Sequence, residues 1–213
     1  GSIKKFCPAR VEANYLPAVE VSGEGIFINF GFEKVQKWSS ENPFTNELEQ
    51  LKKNSSSNPE RLTKNANSFN YSFVMLHTFA HALMQQLSFE CGYALTEIKE
   101  RIYFSEAEKM AGVLIYTSSS DSAGSLGGLV RMIKPEYFEN LLQNAIENSY
   151  TCFNDPICID SQGQGLSGLC LASCYACSMI PDLSCGVFPQ NTFLDRNALI
   201  GSKNGSKGYF TSD

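Results

Sequence analysis

Four of the chain's eight cysteines fall within sixteen residues, Cys170 to Cys185, in the run CLASCYACSMIPDLSC. No other feature restricts the fold so strongly. Thiols this close must share a metal, pair as disulfides or form a redox centre. Their spacing is C-x3-C-x2-C-x7-C. A C-x2-C turn lets two thiolates face one ion, and zinc takes four tetrahedral ligands with Zn–S near ~2.3 Å. No histidine lies nearby, so the spacing predicts an all-cysteine zinc site of Cys170, Cys174, Cys177 and Cys185. Four sulfurs leave no open position, which makes such a zinc structural rather than catalytic. A disulfide cluster and an iron–sulfur cluster are the rivals, since both also use four cysteines. Cys152 and Cys158 form a further C-x5-C pair. They read equally as two small buried hydrophobes or as a source of the fourth ligand in place of Cys170. Cys7 and Cys91 read as inert.

The redox compartment weighs on that choice. The N-terminus has no apolar core followed by a small-residue cleavage site, so no signal peptide is recognised. Eight cysteines without a secretion signal favour reduced thiols and a cytoplasmic location. No run reaches the ~18 apolar residues of a membrane span. The longest, Phe73 to Leu87, is broken by His77, His81, Gln85 and Gln86. Gly1-Ser2 reads as a cloning scar ahead of a piece of a longer protein. Hydrophobic residues make up 43% of the 213, enough for a packed core. The net charge of −5 and the lack of a basic stripe argue against an independent grip on DNA.

Residues 1–15 read as irregular, and Ile26 to Phe30 as a strand. Residues 39–67, rich in Ser, Asn, Lys and Glu, read as a surface loop with a short helix near Glu47 to Lys53. Residues 69–90 carry Phe69, Phe73, Leu76, Ala80, Leu83, Met84 and Leu87 at spacings of three and four. That predicts a helix buried on most sides, capped by Asn67 or Ser68 and stopped by Gly92. Residues 97–104 fit helix or strand. Ala111 to Thr117 reads as a buried central strand, and 135–149 as a helix opening on Pro135. A last helix is predicted over Thr192 to Ile200, capped by Asn191, before a frayed tail at 201–213. The fold class is therefore α/β or α+β. A small central sheet with packed helices carries a cysteine-rich lobe at 150–200, stapled by zinc.

His77 and His81 stand at i and i+4, on one helix face. Thr78 occupies the place of the general-base glutamate in H-E-x-x-H. The two read first as core histidines. A hydrolase or nuclease using His77, His81 and Asp121 beside the glycine-rich turn at 118–128 is the alternative. That turn matches neither phosphate-binding glycine motif, no ATPase signature is present, and no H-x-K nuclease motif occurs.

The ordered set His77-Thr-Phe-Ala-His81, Glu100 to Tyr103, Leu114 to Thr117 with Gly124 to Leu129, the cysteines, and Asn191 to Arg196 resembles the MrfA-type zinc-binding (MZB) domain. With Leu16 to Ile28 it is similar to the C-terminal region of DrmB, a component of the bacterial DISARM anti-phage system. The likeness runs over roughly residues 16–200. It implies a non-catalytic zinc-binding unit associated with helicases or phage-defence proteins. The implied partners are a helicase or defence-complex subunit, with DNA reached through the parent protein. It also implies zinc on a cysteine pattern like Cys170, Cys174, Cys177 and Cys185, though the last gap is longer here. Some members carry Asn at the position of Cys170 and cysteines like Cys152 and Cys158, so the fourth ligand stays open.

Overall fold

The computed structural model describes residues 23–42, 44–56, 70–117 and 128–211. Three strands form one sheet: β1 (Gly25–Asn29), β2 (Ile98–Ser105) and β3 (Met110–Thr117), in the order β1-β3-β2. Both pairings are antiparallel, so of the two fold classes the chain is α+β. The segment that fitted helix or strand is a strand because its alternation has period two. Ile98, Glu100 and Phe104 are buried, while Arg101 between them is exposed. On the same face Ile115 is flanked by Ile26 on one side and Glu100 on the other. A carboxylate thus stands in a row of isoleucines.

Among the described residues, three helices precede β2: α1 (Phe32–Glu41), α2 (Thr45–Ser56) and α3 (Tyr71–Cys91). Helix α3 is buried along nearly all its length, as its broad apolar surface requires. It packs on β2 and β3 and on α5 (Pro135–Ser149), which follows the short α4 (Gly128–Met132). Its N-cap is Asn70, whose side chain accepts from the Ser72 amide at 2.9 Å. Asn67 and Ser68 lie outside the described residues. Gly92 ends the helix in the left-handed region, φ 74, as expected.

Over the described part of 39–67 the short helix expected near Glu47 to Lys53 is present within α2, and the segment packs on the core rather than looping over the surface. Helix α1 buries Val35 and Trp38, and α2 buries Leu51. Phe44 between them stacks on Tyr71 at 4.1 Å. Both helices carry few apolar residues, and composition hides α1, but each buries apolar side chains.

The C-terminal end differs too. Only α6 (Asn197–Ile200) is helical where a helix over 192–200 was expected. Asn191 sits at φ 52 and spends its side chain on the backbone N–H and C=O of Ile180. It therefore holds a loop and does not cap a helix. Residues 201–211 are docked rather than frayed. The Trp38 indole donates to the Lys207 carbonyl at 2.9 Å, Tyr209 meets Trp38 edge-on, and Phe210 stacks on Phe79. No helix among the described residues is long and apolar enough to cross a membrane.

Asp195 joins this end to α3. Its amide donates to Thr78 Oγ1 (2.9 Å), and its carboxylate accepts from Tyr71 (2.7 Å) and the Asn197 amide (3.0 Å). The hydroxyl that replaces the metalloprotease glutamate is thus a backbone anchor. Burial raises the Asp195 carboxyl from 3.8 to about 6. A raised carboxyl takes up a proton on folding between these values. Its favourable contribution is complete below ~4 and is lost as pH rises through ~6, a change of about 3 kcal/mol. Asp195→Asn removes this titration, and the Tyr71 hydroxyl can turn to accept from the new amide. Urea unfolding of zinc-loaded protein at pH 5.0 and 7.5 should show the variant gaining on the parent at the higher pH. An unchanged difference would mean that Asp195 does not titrate in this window.

Candidate metal centre

Two loops of the C-terminal lobe bring four cysteines together. Residues 152–158 follow α5, and residues 174–177 form the C-x2-C turn. Their Sγ atoms all lie within 4.8 Å of one another. Cys152 is 3.6 Å from Cys174, Cys158 is 3.8 Å from Cys177, and Cys174 is 3.8 Å from Cys177. A tetrahedron with Zn–S near ~2.3 Å has sulfur–sulfur edges of about 3.8 Å. The thiols therefore fit a zinc ion in distance as well as in number. None of the described cysteines is in a disulfide.

The surroundings suit thiolates. The Asn154 amide points at Cys152 Sγ, the Asn154 side chain at Cys174 Sγ and the Cys174 amide at Cys177 Sγ. Ser178 donates to Cys177 and Gln164 to Cys158. Burial opposes ionisation of Cys174, but donors including the Asn154 side chain and the Ala176 amide bring it down to about 7. Burial pushes Cys158 and Cys177 up.

Arg196 ties the two loops together from the inside. Its guanidinium donates to the Ala172 carbonyl (3.0 Å), the Ser149 carbonyl (3.1 Å) and Asp155 Oδ1 (2.7 Å). Asp155 in turn accepts from the amides of Cys152 and Ile159, which shapes the C-x5-C loop. Arg196 is fully buried, and its positive charge acts on Cys158 and Cys177. A zinc ion held by four thiolates carries two excess negative charges, so a fixed guanidinium beside it is favourable.

The structure places the expected ligands in three surroundings. Cys174 and Cys177 are in the four-sulfur group. Cys170 is outside it: backbone bridges to Gln164 and Leu194 turn its thiol toward the Asn191 carbonyl, 2.9 Å away. Burial pushes that thiol up to about 12, so it stays protonated. Cys185 is outside it as well. The seven-residue gap carries it across to α3, where its Sγ is 3.4 Å from His77 Nε2. Cys152 and Cys158, the alternative pair, are the ones gathered.

His77 and His81 are wholly buried, and Asp121 lies outside the described residues together with 118–127. The histidines meet Glu100 of β2: His77 Nε2 is 3.3 Å and His81 Nε2 3.7 Å from Glu100 Oε1. Burial works against the Glu100 charge, but His77 and then His81 hold the carboxyl below its usual range. Sequence reasoning gave Glu100 no role of its own. Its signal is the period of two from Ile98 to Phe104, which sets a carboxylate on the apolar face.

Residues 79–178 match the MrfA Zn-binding (MZB) domain. That span holds all four gathered cysteines and stops short of Cys185. The chain is also 41% identical over 192 residues to DISARM protein DrmB of Bacillus paralicheniformis. The alignment covers 88% of this chain and 33% of that protein, so the chain spans about a third of the length of its relative.

Proposed function

We propose, from the premise that the chain carries an MZB zinc-binding domain and resembles DISARM protein DrmB, that it is a zinc-stabilised, non-catalytic accessory unit of a phage-defence protein. Zinc sits on Cys152, Cys158, Cys174 and Cys177. It closes two loops that have no apolar core of their own and leaves no open coordination position. The observation that carries the reading is this closed sulfur cage within the matched span.

What the cage holds up is a docking face for the rest of its parent protein or a defence-complex subunit. Phe153, Ile157 and Tyr175, on the two cysteine loops, are 100%, 82% and 83% exposed. Large apolar side chains kept in water on a metal-fixed loop mark a contact surface. The net charge of −5 favours such docking, with DNA met through the parent protein.

The rival hydrolase or nuclease fares worse. A cleft of about 450 Å³ is lined by residues such as Asn46, Gln50, Asp160 and Lys203, and by neither histidine. Phe153→Ser with Tyr175→Ser should keep zinc and unfolding temperature in the parent protein. It should weaken capture of the partner subunit about tenfold or more, as loss of a hot spot does. Equal capture by parent and variant would sink the docking role.

A further inference from the structure

We propose that the chain holds a second structural zinc ion, on His77, His81, Glu100 and Cys185. The site lies between α3, β2 and the loop leading to Asn191. This goes beyond the accessory-domain reading and rests on none of the four cysteines of the first centre.

The four side chains offer two ring nitrogens, a carboxylate oxygen and a sulfur, all within 4.8 Å of one another. His77 Nε2 is 3.3 Å from Glu100 Oε1 and 3.4 Å from Cys185 Sγ, and His81 Nε2 is 3.7 Å from Glu100 Oε1. Bonds of ~2.0–2.3 Å to nitrogen, oxygen and sulfur give tetrahedral edges of about 3.3–3.6 Å. The spacing fits one zinc ion at the centre.

Three further observations point to a ligand rather than to a plain hydrogen-bond network. First, His81 Nδ1 lies 2.8 Å from the Ser178 carbonyl, which only accepts, so Nδ1 carries the proton. In the neutral ring Nε2 then turns a lone pair into the site, the arrangement that metal-bound histidines commonly have. Second, His81 Nε2 and Glu100 Oε2 are buried without a hydrogen-bond partner among the described residues. An orphaned buried polar group is costly; an ion in the middle would satisfy His81 Nε2, and Glu100 Oε2 as well where the carboxylate binds through both oxygens. His77 Nδ1 is also unpartnered, and an ion on Nε2 does not change that. Third, the rest of the cluster is braced by backbone amides. Asn191 donates to Cys185 Sγ and Gly186 to Glu100 Oε1. Gly186 must be glycine here, because a Cβ would collide with the Glu100 carbonyl.

The two histidines and Glu100 are wholly buried, and Cys185 is 7% exposed. A site this closed admits no substrate, so the ion is structural. A soft thiolate with two imidazoles and one carboxylate is a donor set for zinc rather than for magnesium or calcium. Ser178 follows Cys177 directly, so the His81 bond also ties this centre to the first.

The test is zinc content by mass spectrometry together with zinc-edge X-ray absorption of the purified chain. About two zinc ions per chain are expected, with an average shell of sulfur mixed with nitrogen and oxygen. Glu100→Gln should lower the ratio to about one and leave an all-sulfur shell. One zinc per chain with only sulfur neighbours in the unaltered protein would overturn the proposal, as would Glu100→Gln retaining two. The absorption spectrum of the unaltered chain decides even where the variant does not fold. One zinc with a mixed shell would instead uphold this site and remove the four-cysteine centre.

Discussion

Cys158→Ser is expected to cost the chain the zinc of its four-sulfur centre and most of its thermal stability, while Cys170→Ser leaves that zinc in place. Cys158 lies 3.8 Å from Cys177 inside the sulfur group, and Cys170 faces the Asn191 carbonyl. A structural zinc contributes on the order of 10 kcal/mol. That is comparable to the whole stability of a domain, about 5–15 kcal/mol, so its loss should leave the lobe unfolded. In Cys170→Ser a hydroxyl replaces a thiol that already donates to a carbonyl. The change should cost about 1 kcal/mol. Zinc content after gel filtration and a thermal melt distinguish the two variants. The opposite ranking would return the fourth ligand to Cys170. Chelation of the parent chain, which removes both zinc ions, should lower the melt at least as far as Cys158→Ser does, and a visible iron chromophore would replace zinc with an iron–sulfur cluster.

The same residues show how far sequence reaches. The period of α3, the apolar run of β3 and Pro135 at the head of α5 are local signals, and each element stands within a few residues of its predicted place. The metal was legible from chemistry alone, because four clustered thiols that are not paired as disulfides have few other uses. The grouping of the thiols was legible only in part, with Cys158 or Cys152 in place of Cys170 left as an open alternative. Proximity in sequence favoured Cys170 and Cys185, but proximity in space depends on loop closure. The 152–158 loop folds back across Gln164 and Leu171, joined by the Gln164 side chain. Cys170 is then held in a backbone bridge that points its sulfur elsewhere. Glu100 was hidden for another reason. A glutamate in a charged stretch reads as solvated until the strand assigns it a face. The docked tail was hidden because its two anchors, Tyr209 and Phe210, are surrounded by Gly, Ser and Lys.

Arg196→Met is the second large expected effect, and it tests whether the cage is held by more than its metal. The guanidinium joins Ser149 at the end of α5, Asp155 in the first cysteine loop and Ala172 ahead of the second. Methionine fills much of the volume but donates nothing. Two backbone carbonyls and a carboxylate then lose their partner together. Breaking a buried pair from one side costs about 3–5 kcal/mol. Asp155 keeps a quarter of its side chain in water, so the lower end of that range applies. The positive charge beside the thiolates goes as well, and loss of such an outer partner weakens metal binding about 10- to 100-fold. Arg196→Lys separates the two contributions: it restores the charge but not the planar fork that reaches three acceptors at once. It should recover part of the zinc affinity and little of the stability. Urea unfolding of the zinc-loaded chain and competition with a chelator read the two quantities independently. If Arg196→Met matched the parent in both, the cysteine loops would be positioned by the zinc alone, and the buried arginine would be no more than packing.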